Sequence, residues 1–358
     1  MALDRRAAEI PSKGRLQEIV VDRGANKHPF LTFVFESGEP RSIPILSVRD
    51  PNQHGDIARA IASHKPVIFM AGGVIGAGNA VRHGTDGARV FWDTFKPGRP
   101  ETSKLPMMVA QEKQYEIIDW SKVHEDFKFL KSGPKRADFF GQLPMHVIYP
   151  HNSYDRVTDR AFITEPSDMA QEHEIIRANV PTVCMYFQRD SDWVKIAHII
   201  GEYAPWSRFG ITSCNEKGKK PPFSLAEFEA DVMRRVGEGK TVWEATQAVA
   251  YIEDPIAEEI GVASSQSQVR IPLKGERPTL KLVRHGPVSP RLIKAQTGAD
   301  VEVPSDENGN WTVKFSERRV GNDIDLDMLV QLQTQKINAH IAGRSKNHRI
   351  DFAGRVAI

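Results

Sequence analysis

The sequence predicts an α/β fold, in which a twisted mixed sheet is flanked by helices. An apolar run at Pro66–Met70 is followed by a glycine-rich stretch at Ala71–Gly78, a helical pattern at Thr85–Phe95 and a second apolar run at Leu105–Val109. This order of strand, loop, helix and strand is typical of α/β proteins, in which helices cover a sheet. The loop glycines are expected to let the backbone approach a ligand closely.

The residues before this region are predicted to form an N-terminal extension, 1–54. Leu16–Asp22 and Pro29–Glu36 are apolar or alternating runs around a turn, which indicates a β-hairpin. Ser42–Val48 is a candidate third strand. Gly55–His64 places its apolar residues on one side and is therefore predicted to be a helix.

The middle of the chain continues the α/β pattern. Ser224-Leu-Ala-Glu227 has the spacing of a capping box, so a helix is expected to begin at Ser224 and to run to about Val236. Helical patterns are also present at Asp192–Ile200 and Thr241–Ala250. Four apolar runs are predicted strands: Met145–Tyr149, Val183–Phe187, Phe209–Thr212 and Leu280–Val283.

The last part of the chain, 291–358, is predicted to be a C-terminal extension. Val301–Phe315 contains Asn308-Gly309, a favoured hairpin turn, and is predicted to be a hairpin. Asp327–Ile341 is predicted to be an amphipathic helix, followed by a basic tail. The region between the two extensions, 55–290, is then a single large domain.

Composition narrows the functional classes. Hydrophobic residues make up 40% and charged residues 26% of the 358 residues, as in an ordinary globular protein. The net charge of +2 argues against a global field for nucleic acid or membranes. Cys184 and Cys214 are the two cysteines, which excludes a disulfide framework. The N-terminus lacks the apolar core of a secretory signal, so a cytoplasmic location with no membrane contact is expected.

Two polar clusters carry the functional signal. Lys96-Pro-Gly-Arg99-Pro100 and Ser213-Cys214-Asn215 each follow an apolar run, and strand ends form the ligand sites of open α/β sheets. Two cations and two neutral hydrogen-bonding groups suit a polyphosphate. Taken alone, each cluster also fits an exposed basic turn or a capped turn. The histidines, His146 among them, show no metal-ligand spacing on one helix face.

These pieces resemble the YrdC-like family, whose best-known members make threonylcarbamoyl-AMP. Val67–Met70 with Gly76 resembles the family's opening strand and glycine turn, and Lys96…Arg99-Pro100 is similar to its Lys-x-Arg-Pro motif. Ser213-Cys214-Asn215 resembles its Ser-x-Asn motif. Thr279…Arg284-x-Gly286 is similar to its closing strand and Arg-Pro-Gly turn.

The resemblance implies an ATP-dependent enzyme that joins bicarbonate to an amine or amino acid and forms a carbamoyl adenylate in a basic concave groove. It implies catalytic roles for Lys96, Arg99 and Ser213. ATP and Mg²⁺ are the implied cofactors, and phosphate oxygens and water hold most of the magnesium. The implied nucleotide-binding residues are Lys96, Arg99, Ser213, Asn215, Thr279 and Arg284, and the implied substrate-binding residues are Ala71, Gly72, Gly73 and Thr212.

One departure leaves the acceptor open, and two other functions remain. The family's opening loop carries threonines that help to hold the amino acid, whereas Met70-Ala71-Gly72-Gly73 has no hydroxyl. A non-catalytic nucleotide- or RNA-binding protein that kept the basic surface is therefore the alternative. A dinucleotide oxidoreductase is a third hypothesis, although Gly73-x-x-Gly76-x-Gly78 does not have the Gly-x-Gly-x-x-Gly spacing.

Overall fold

A mixed sheet forms the centre of the molecule. The computed structural model describes residues 14–24, 29–71, 74–81, 95, 104, 106–109, 112–141, 143, 145–152, 162–169, 178–186, 191–205, 208–216, 219, 221–240, 242–260, 266–309, 314–315 and 326–344. In these ranges fifteen strands join one sheet. They are β1 (Leu16–Asp22), β2 (Phe30–Phe35), β3 (Pro40–Ser47), β4 (Val67–Ala71), β5 (Val74–Val81), β6 (Met107–Met108), β7 (Met145–Pro150), β8 (Ile163–Thr164), β9 (Thr182–Tyr186), β10 (Arg208–Ser213), β11 (Tyr251–Glu253), β12 (Ser267–Arg270), β13 (Leu280–His285), β14 (Val301–Glu302) and β15 (Lys314–Phe315).

The strand order is β1-β2-β3-β11-β4-β5-β10-β6-β9-β7-β12-β13-β14, with β8 paired to β9 and β15 paired to β13. Parallel pairs join β3 to β11, β11 to β4, β6 to β9, β7 to β12 and β13 to β14. The remaining neighbours along the main path are antiparallel. The predicted mixed α/β architecture is confirmed, whereas the twist of the sheet and its basic groove stay predictions.

Helices lie on both faces of the sheet. They are α1 (His54–Ala62), α2 (Gly133–Phe140), α3 (Ser191–Tyr203), α4 (Leu225–Gly237), α5 (Trp243–Gln247), α6 (Pro255–Ile260), α7 (Pro290–Thr297) and α8 (Leu326–Arg344), with short 3₁₀ turns at Pro51–Gln53, Glu112–Ile117, Glu125–Lys131 and Pro166–Met169. Among the helices of the described ranges, none has the length and apolar character that crossing a bilayer requires.

Each face of the sheet has its own hydrophobic core. On one face, Ile57 and Ile61 of α1 and Trp193 of α3 pack on Phe69 and Phe209 of the sheet. On the other face, α2, α4, α5 and α7 cover a larger cluster. In the central strand β4, successive apolar residues alternate between the two cores, because the side chains of a strand point to opposite faces of the sheet.

The predicted N-terminal hairpin is confirmed. β1 and β2 pair antiparallel, and β2 buries Leu31, Phe33 and Phe35 while its other residues stay half-exposed. This alternation matches a strand with one buried face. β3 then pairs with β11, and β14 pairs with β13, so the sheet runs across both predicted domain boundaries. The division at 54/55 and 290/291 stays a prediction.

Residues 74–78 of the predicted glycine-rich loop form a strand, whereas Gly72 and Gly73 lie outside the described residues. Gly76 and Gly78 lie inside β5, which pairs antiparallel with β4. A Cβ on Gly78 would lie 2.4 Å from Cζ of Phe209, and a Cβ on Gly76 would lie 2.8 Å from the carbonyl oxygen of Thr212. The missing side chain at Gly78 therefore leaves room for the Phe209 ring, and the one at Gly76 leaves room for the backbone of β10. A mid-strand position also rules out a dinucleotide-binding turn at Gly76 and Gly78.

The C-terminal segment differs from its prediction in one respect. β14 and β15, which begin and end the predicted hairpin Val301–Phe315, both run parallel to β13. Residues 310–313 lie outside the described residues, so a shorter hairpin at Asn308-Gly309 stays a prediction. The edge of β13 offers each short strand a parallel partner, and this long-range pairing replaces the local one. The predicted C-terminal helix is present as α8, and its Arg344 forms an ion pair with the buried carboxylate of Asp192.

Candidate functional site

The Ser213–Asn215 turn lies at the end of β10. Ser213 Oγ donates a hydrogen bond to Oδ1 of Asn215. The Asn215 amide donates to the backbone oxygens of Glu216, at 3.0 Å, and of Lys219. The backbone N–H of Cys214 donates to the oxygen of Ile75 at 2.9 Å, which fixes the turn to the β4–β5 hairpin. Both predicted side chains therefore take part in shaping the turn.

Glu216 ties this turn to α4. Its carboxylate lies 2.9 Å from Arg234 and 2.5 Å from Lys240. Arg234 also binds Asp231 and Glu238. These carboxylates raise the pKa of the Arg234 guanidinium, and the chain that carries Ser213 and Asn215 is held by a network of opposite charges.

Thr279 and Arg284 belong to β13 and its approach. Thr279 Oγ1 donates to Oε2 of Glu302 at 3.1 Å, and Lys281 forms an ion pair with the same carboxylate. Arg284 is half-exposed and lies directly opposite Gln268 of β12. Thr279 therefore helps to join β13 to β14, whereas Arg284 lies on the β12 side of the sheet, opposite Gln268.

The strand register places Arg284 and Ser213 on the same face of the sheet. Ser213 follows Phe209 and Ile211 at intervals of two in the regular strand β10, so it shares their face. Four strands separate β10 from β13, which is about 24 Å across a flat sheet. Across six strands, the directly opposed residues are Arg284, Gln268, His146, Tyr186, Met108 and Phe209.

Polar side chains occupy the β13 end of this row. We call the surface formed by His146, Cys184, Gln268 and Arg284 the polar face. Cys184, Gln268 and Arg284 are half-exposed, whereas His146 is buried. The Nε2 atom of Gln268 lies 3.2 Å from Nδ1 of His146.

Burial keeps two titratable groups of the polar face, the His146 imidazole and the Cys184 thiol, uncharged. Burial, assisted by the Arg284 cation, lowers the pKa of His146 to about 3. Burial raises the pKa of the Cys184 thiol to about 12 although the residue is half-exposed, and Arg284 opposes this shift. The Arg284 charge therefore acts on both His146 and Cys184. At neutral pH the imidazole and the thiol are uncharged, and Arg284 is the cation of this surface.

Two further cations of the same sheet face are paired with carboxylates. Arg270 is 1% exposed, and its two terminal nitrogens lie 2.9 and 3.0 Å from the carboxylate oxygens of Glu276. Lys281 is also buried and pairs with Glu302. In the ranges that the structure covers, no group of three histidine, cysteine or acidic side chains is arranged to hold a metal ion.

Several predicted residues lie outside the described residues. Lys96, Arg99, Gly72 and Gly73 are among them, so their convergence with Ser213 stays a prediction. Ala71 is the last residue of β4, and the half-exposed Thr212 precedes Ser213 on β10.

The structure adds residues that sequence reasoning missed. His146 and Gln268 contact each other across β7 and β12, which are far apart in sequence. Ser267 Oγ accepts hydrogen bonds from the N–H groups of Gly286, at 2.9 Å, and Val288, at 3.1 Å, and thereby fixes the turn after Arg284. The sequence signal for these residues was the alternation of the polar Gln266, Gln268 and Arg270 along β12 and the residue before it.

Comparisons with solved structures give matches of low TM-score and low sequence identity. No family model matches this sequence, and no curated protein resembles it. P. abyssi Sua5 complexed with L-threonine is 17% identical, with a TM-score of 0.46, over 75% of this chain and 66% of that chain. E. coli YciO is 11% identical, with a TM-score of 0.38, over 66% of this chain and 90% of that chain. T. kodakarensis HypF is 11% identical, with a TM-score of 0.36, over 61% of this chain and 22% of that chain. This chain thus spans slightly less than two thirds of the Sua5 length, and these similarities assign no activity to it.

Proposed function

We propose that this protein is an ATP-dependent enzyme that forms a carbamoyl adenylate from bicarbonate and an amine or amino acid. The observation that carries the proposal is the half-exposed Arg284, which lies beside the neutral His146 and the Gln268 amide on a sheet face. An arginine next to neutral hydrogen-bonding groups suits a ligand with several oxyanions. The sequence motifs that resemble the YrdC-like family point to the same chemistry.

The reaction joins two anions, so charge neutralisation is its main requirement. The amine attacks the bicarbonate carbon and water leaves, which gives a carbamate. A carbamate oxygen then attacks the α-phosphorus of ATP, and pyrophosphate leaves. Arg284, with Lys96 and Arg99 from outside the described residues, would neutralise and align the reacting oxyanions. Ser213 and Asn215 lie about 24 Å away across the sheet and would not contact the same phosphates as Arg284.

Magnesium would be coordinated mainly by phosphate oxygens and water. Glu276 and Glu302, the carboxylates next to the polar face, are paired with Arg270 and Lys281. Mg²⁺ commonly keeps several waters and binds through substrate phosphates rather than in a protein cage. The donor set of this sheet face therefore fits the ATP complex of magnesium.

A pyrophosphate-release assay tests the proposal. The full-length protein is incubated with ATP, Mg²⁺, bicarbonate and a panel of amines and amino acids that includes L-threonine, the ligand in the P. abyssi Sua5 complex. Release that requires both bicarbonate and one acceptor is the expected result. Arg284→Met should lower the rate about 10- to 100-fold, since a hydrogen-bonded charge contributes about 1.5–3 kcal/mol. The exposed Arg277→Met is the matched control and should leave the rate unchanged.

The second candidate is a nucleotide- or RNA-binding protein without turnover. Its support is that Ser213 and Asn215 are already engaged in their own turn and that no hydroxyl is present in 70–73. ATP binding without pyrophosphate release from any acceptor would favour it, and a titration with labelled RNA would extend the test. Lys96→Ala and Arg99→Ala should each weaken ATP binding without changing thermal unfolding. Unchanged affinity in both variants would remove these residues from the site.

A further inference from the structure

His146 is held in one orientation on the polar face. It is 7% exposed, and its ring meets the Tyr186 ring edge-on, with 5.0 Å between the ring centroids. Its Nδ1 lies 3.2 Å from the amide nitrogen of Gln268. Because an amide NH₂ group only donates hydrogen bonds, Nδ1 accepts and the ring proton is on Nε2. Within the described residues, Nε2 itself has no hydrogen-bond partner.

The charges around His146 keep it a neutral donor. Among the described residues, Tyr186 of β9 packs on its ring and the Arg284 cation of β13 acts on it, and Cys184 shares this sheet face one pair further along β9. Burial and the Arg284 cation lower the imidazole pKa to about 3. The Nε2–H group can therefore donate to a ligand oxygen across the physiological pH range without adding a second charge beside Arg284. Neutral histidines that polarise a ligand carbonyl act in this way in other enzymes.

Gln266 supplies a second, independent indication of a ligand. It is 6% exposed, and its Nε2 lies 3.4 Å from the Tyr186 hydroxyl. Among the residues that the structure describes, none donates a hydrogen bond to its buried Oε1. A buried acceptor without a donor costs about 1–3 kcal/mol, so a ligand N–H would relieve a real penalty. Gln266 and His146 contact the same tyrosine, one at its hydroxyl and the other at its ring.

We propose that His146, Gln266 and Arg284 form the subsite for the carbamate group. In this subsite the His146 Nε2–H donates to a carbamate oxygen, the Gln266 Oε1 accepts the carbamate N–H, and Arg284 neutralises the carbamate charge. A carbamate offers an oxygen acceptor next to an N–H donor, whereas phosphate and bicarbonate offer no N–H. The inference rests on the proposed function and names the residues that would hold its first intermediate.

A binding experiment on the full-length protein tests the subsite without turnover. The probes are N-carbamoylglycine, which carries a carbonyl oxygen, an N–H group and a carboxylate, and acetate, which has no N–H. In the protein labelled with ¹⁵N-histidine, we expect a protonated Nε2 and an unprotonated Nδ1 at His146, and a shift of its signal when N-carbamoylglycine binds. His146→Phe should weaken N-carbamoylglycine binding about tenfold, the value of one hydrogen bond. The solvent-exposed His198→Phe is the matched control.

Gln266→Leu separates the N–H contact from general damage. This variant should weaken N-carbamoylglycine binding about tenfold and leave acetate binding unchanged. A proton on Nδ1 of His146, or equal losses for both probes in Gln266→Leu, would overturn the subsite. If His146→Phe fails to fold, the ¹⁵N measurement of the His146 tautomer and the binding of the two probes to Gln266→Leu still test the subsite. Probe binding without pyrophosphate release would defeat the proposed function alone, and turnover with normal kinetics in Gln266→Leu would defeat the subsite alone.

Discussion

Asp192 lies at the centre of a buried ionic cluster that joins three distant parts of the chain. It is 1% exposed in the first turn of α3. Its two carboxylate oxygens accept hydrogen bonds from Arg344 of α8 at 2.8 and 2.7 Å, and Arg49 NH1 lies 3.3 Å from Oδ2. Arg49, which is 6% exposed as a whole residue, also pairs with Asp254. Two cations and two carboxylates therefore balance one another, and all of them except Arg344 are buried.

Asp192→Asn removes one charge of this balanced set while keeping the shape of the side chain. Breaking a buried ion pair by neutralising one partner costs about 3–5 kcal/mol, because the other charge stays buried. Arg344 is 27% exposed and can recover some hydration, whereas Arg49, at 4%, cannot. We therefore expect a loss of about 3 kcal/mol, the lower end of that range, in the free energy of unfolding.

Urea unfolding at pH 7, followed by circular dichroism, measures this loss as a lower midpoint at an unchanged slope. The matched control is Asp56→Asn, since Asp56 pairs with Arg59 on the surface, where the side chains are 41% and 59% exposed. An exposed pair contributes less than about 1 kcal/mol. A difference between the two variants below about 1 kcal/mol would show that burial of the Asp192 cluster does not carry the stability assigned to it here.

Three further predictions follow from the packing and the electrostatics. Gly78→Ala, whose Cβ would lie 2.4 Å from the Phe209 ring, should destabilise the protein by about 1–3 kcal/mol in thermal unfolding, whereas Gly237→Ala, which meets nothing within 4 Å, should stay within about 1 kcal/mol of wild type. The pKa of His146 is lowered to about 3 in the folded protein, so the unfolded state binds the imidazole proton at a higher pH and the free energy of unfolding decreases as the pH falls. Between pH 7 and pH 5 this decrease should be roughly 2 kcal/mol larger in the wild type than in His146→Gln. Equal decreases in the two proteins would contradict a neutral imidazole at His146. Cys184, with its pKa raised to about 12, should react with a disulfide reagent at pH 8 about 1000-fold more slowly in the native protein than in urea, and fast native labelling would show an accessible thiolate.

Local signals predicted the elements whose hydrogen bonds close within a few residues. Ser224 Oγ accepts from the N–H of Glu227 at 3.2 Å, and α4 begins at Leu225 as the capping box predicted. Both strands of the N-terminal hairpin are also present as predicted, because alternating apolar and polar residues indicate a strand with one buried face. Such patterns carry their own structural reason in the sequence.

Predictions that depended on a distant partner were less secure. The glycines of 71–78 are expected in a loop when only the sequence is considered, yet the Phe69 and Phe209 rings occupy the space that side chains at Gly78 would need. Asn308-Gly309 is a favoured hairpin turn, yet the end strands of the predicted hairpin, β14 and β15, both pair in parallel with β13. In both cases tertiary contacts outweigh a local preference, and the contacting residues lie far away in the chain.

The alternation of residues along β13 could not predict that Arg284 lies on the polar face. Lys281 and Arg284 are three positions apart, so in a regular strand their side chains would point to opposite faces. A register shift between Gln268 and Val269 places Arg270 opposite Lys281 and Gln268 opposite Arg284. Because Gln268 and Arg270 share a face, their two partners share it too, and the additional residue of β13 at this shift turns Arg284 toward His146. A bulge depends on the pairing of two strands, so the position of the Arg284 cation is a property of the sheet and not of the β13 sequence.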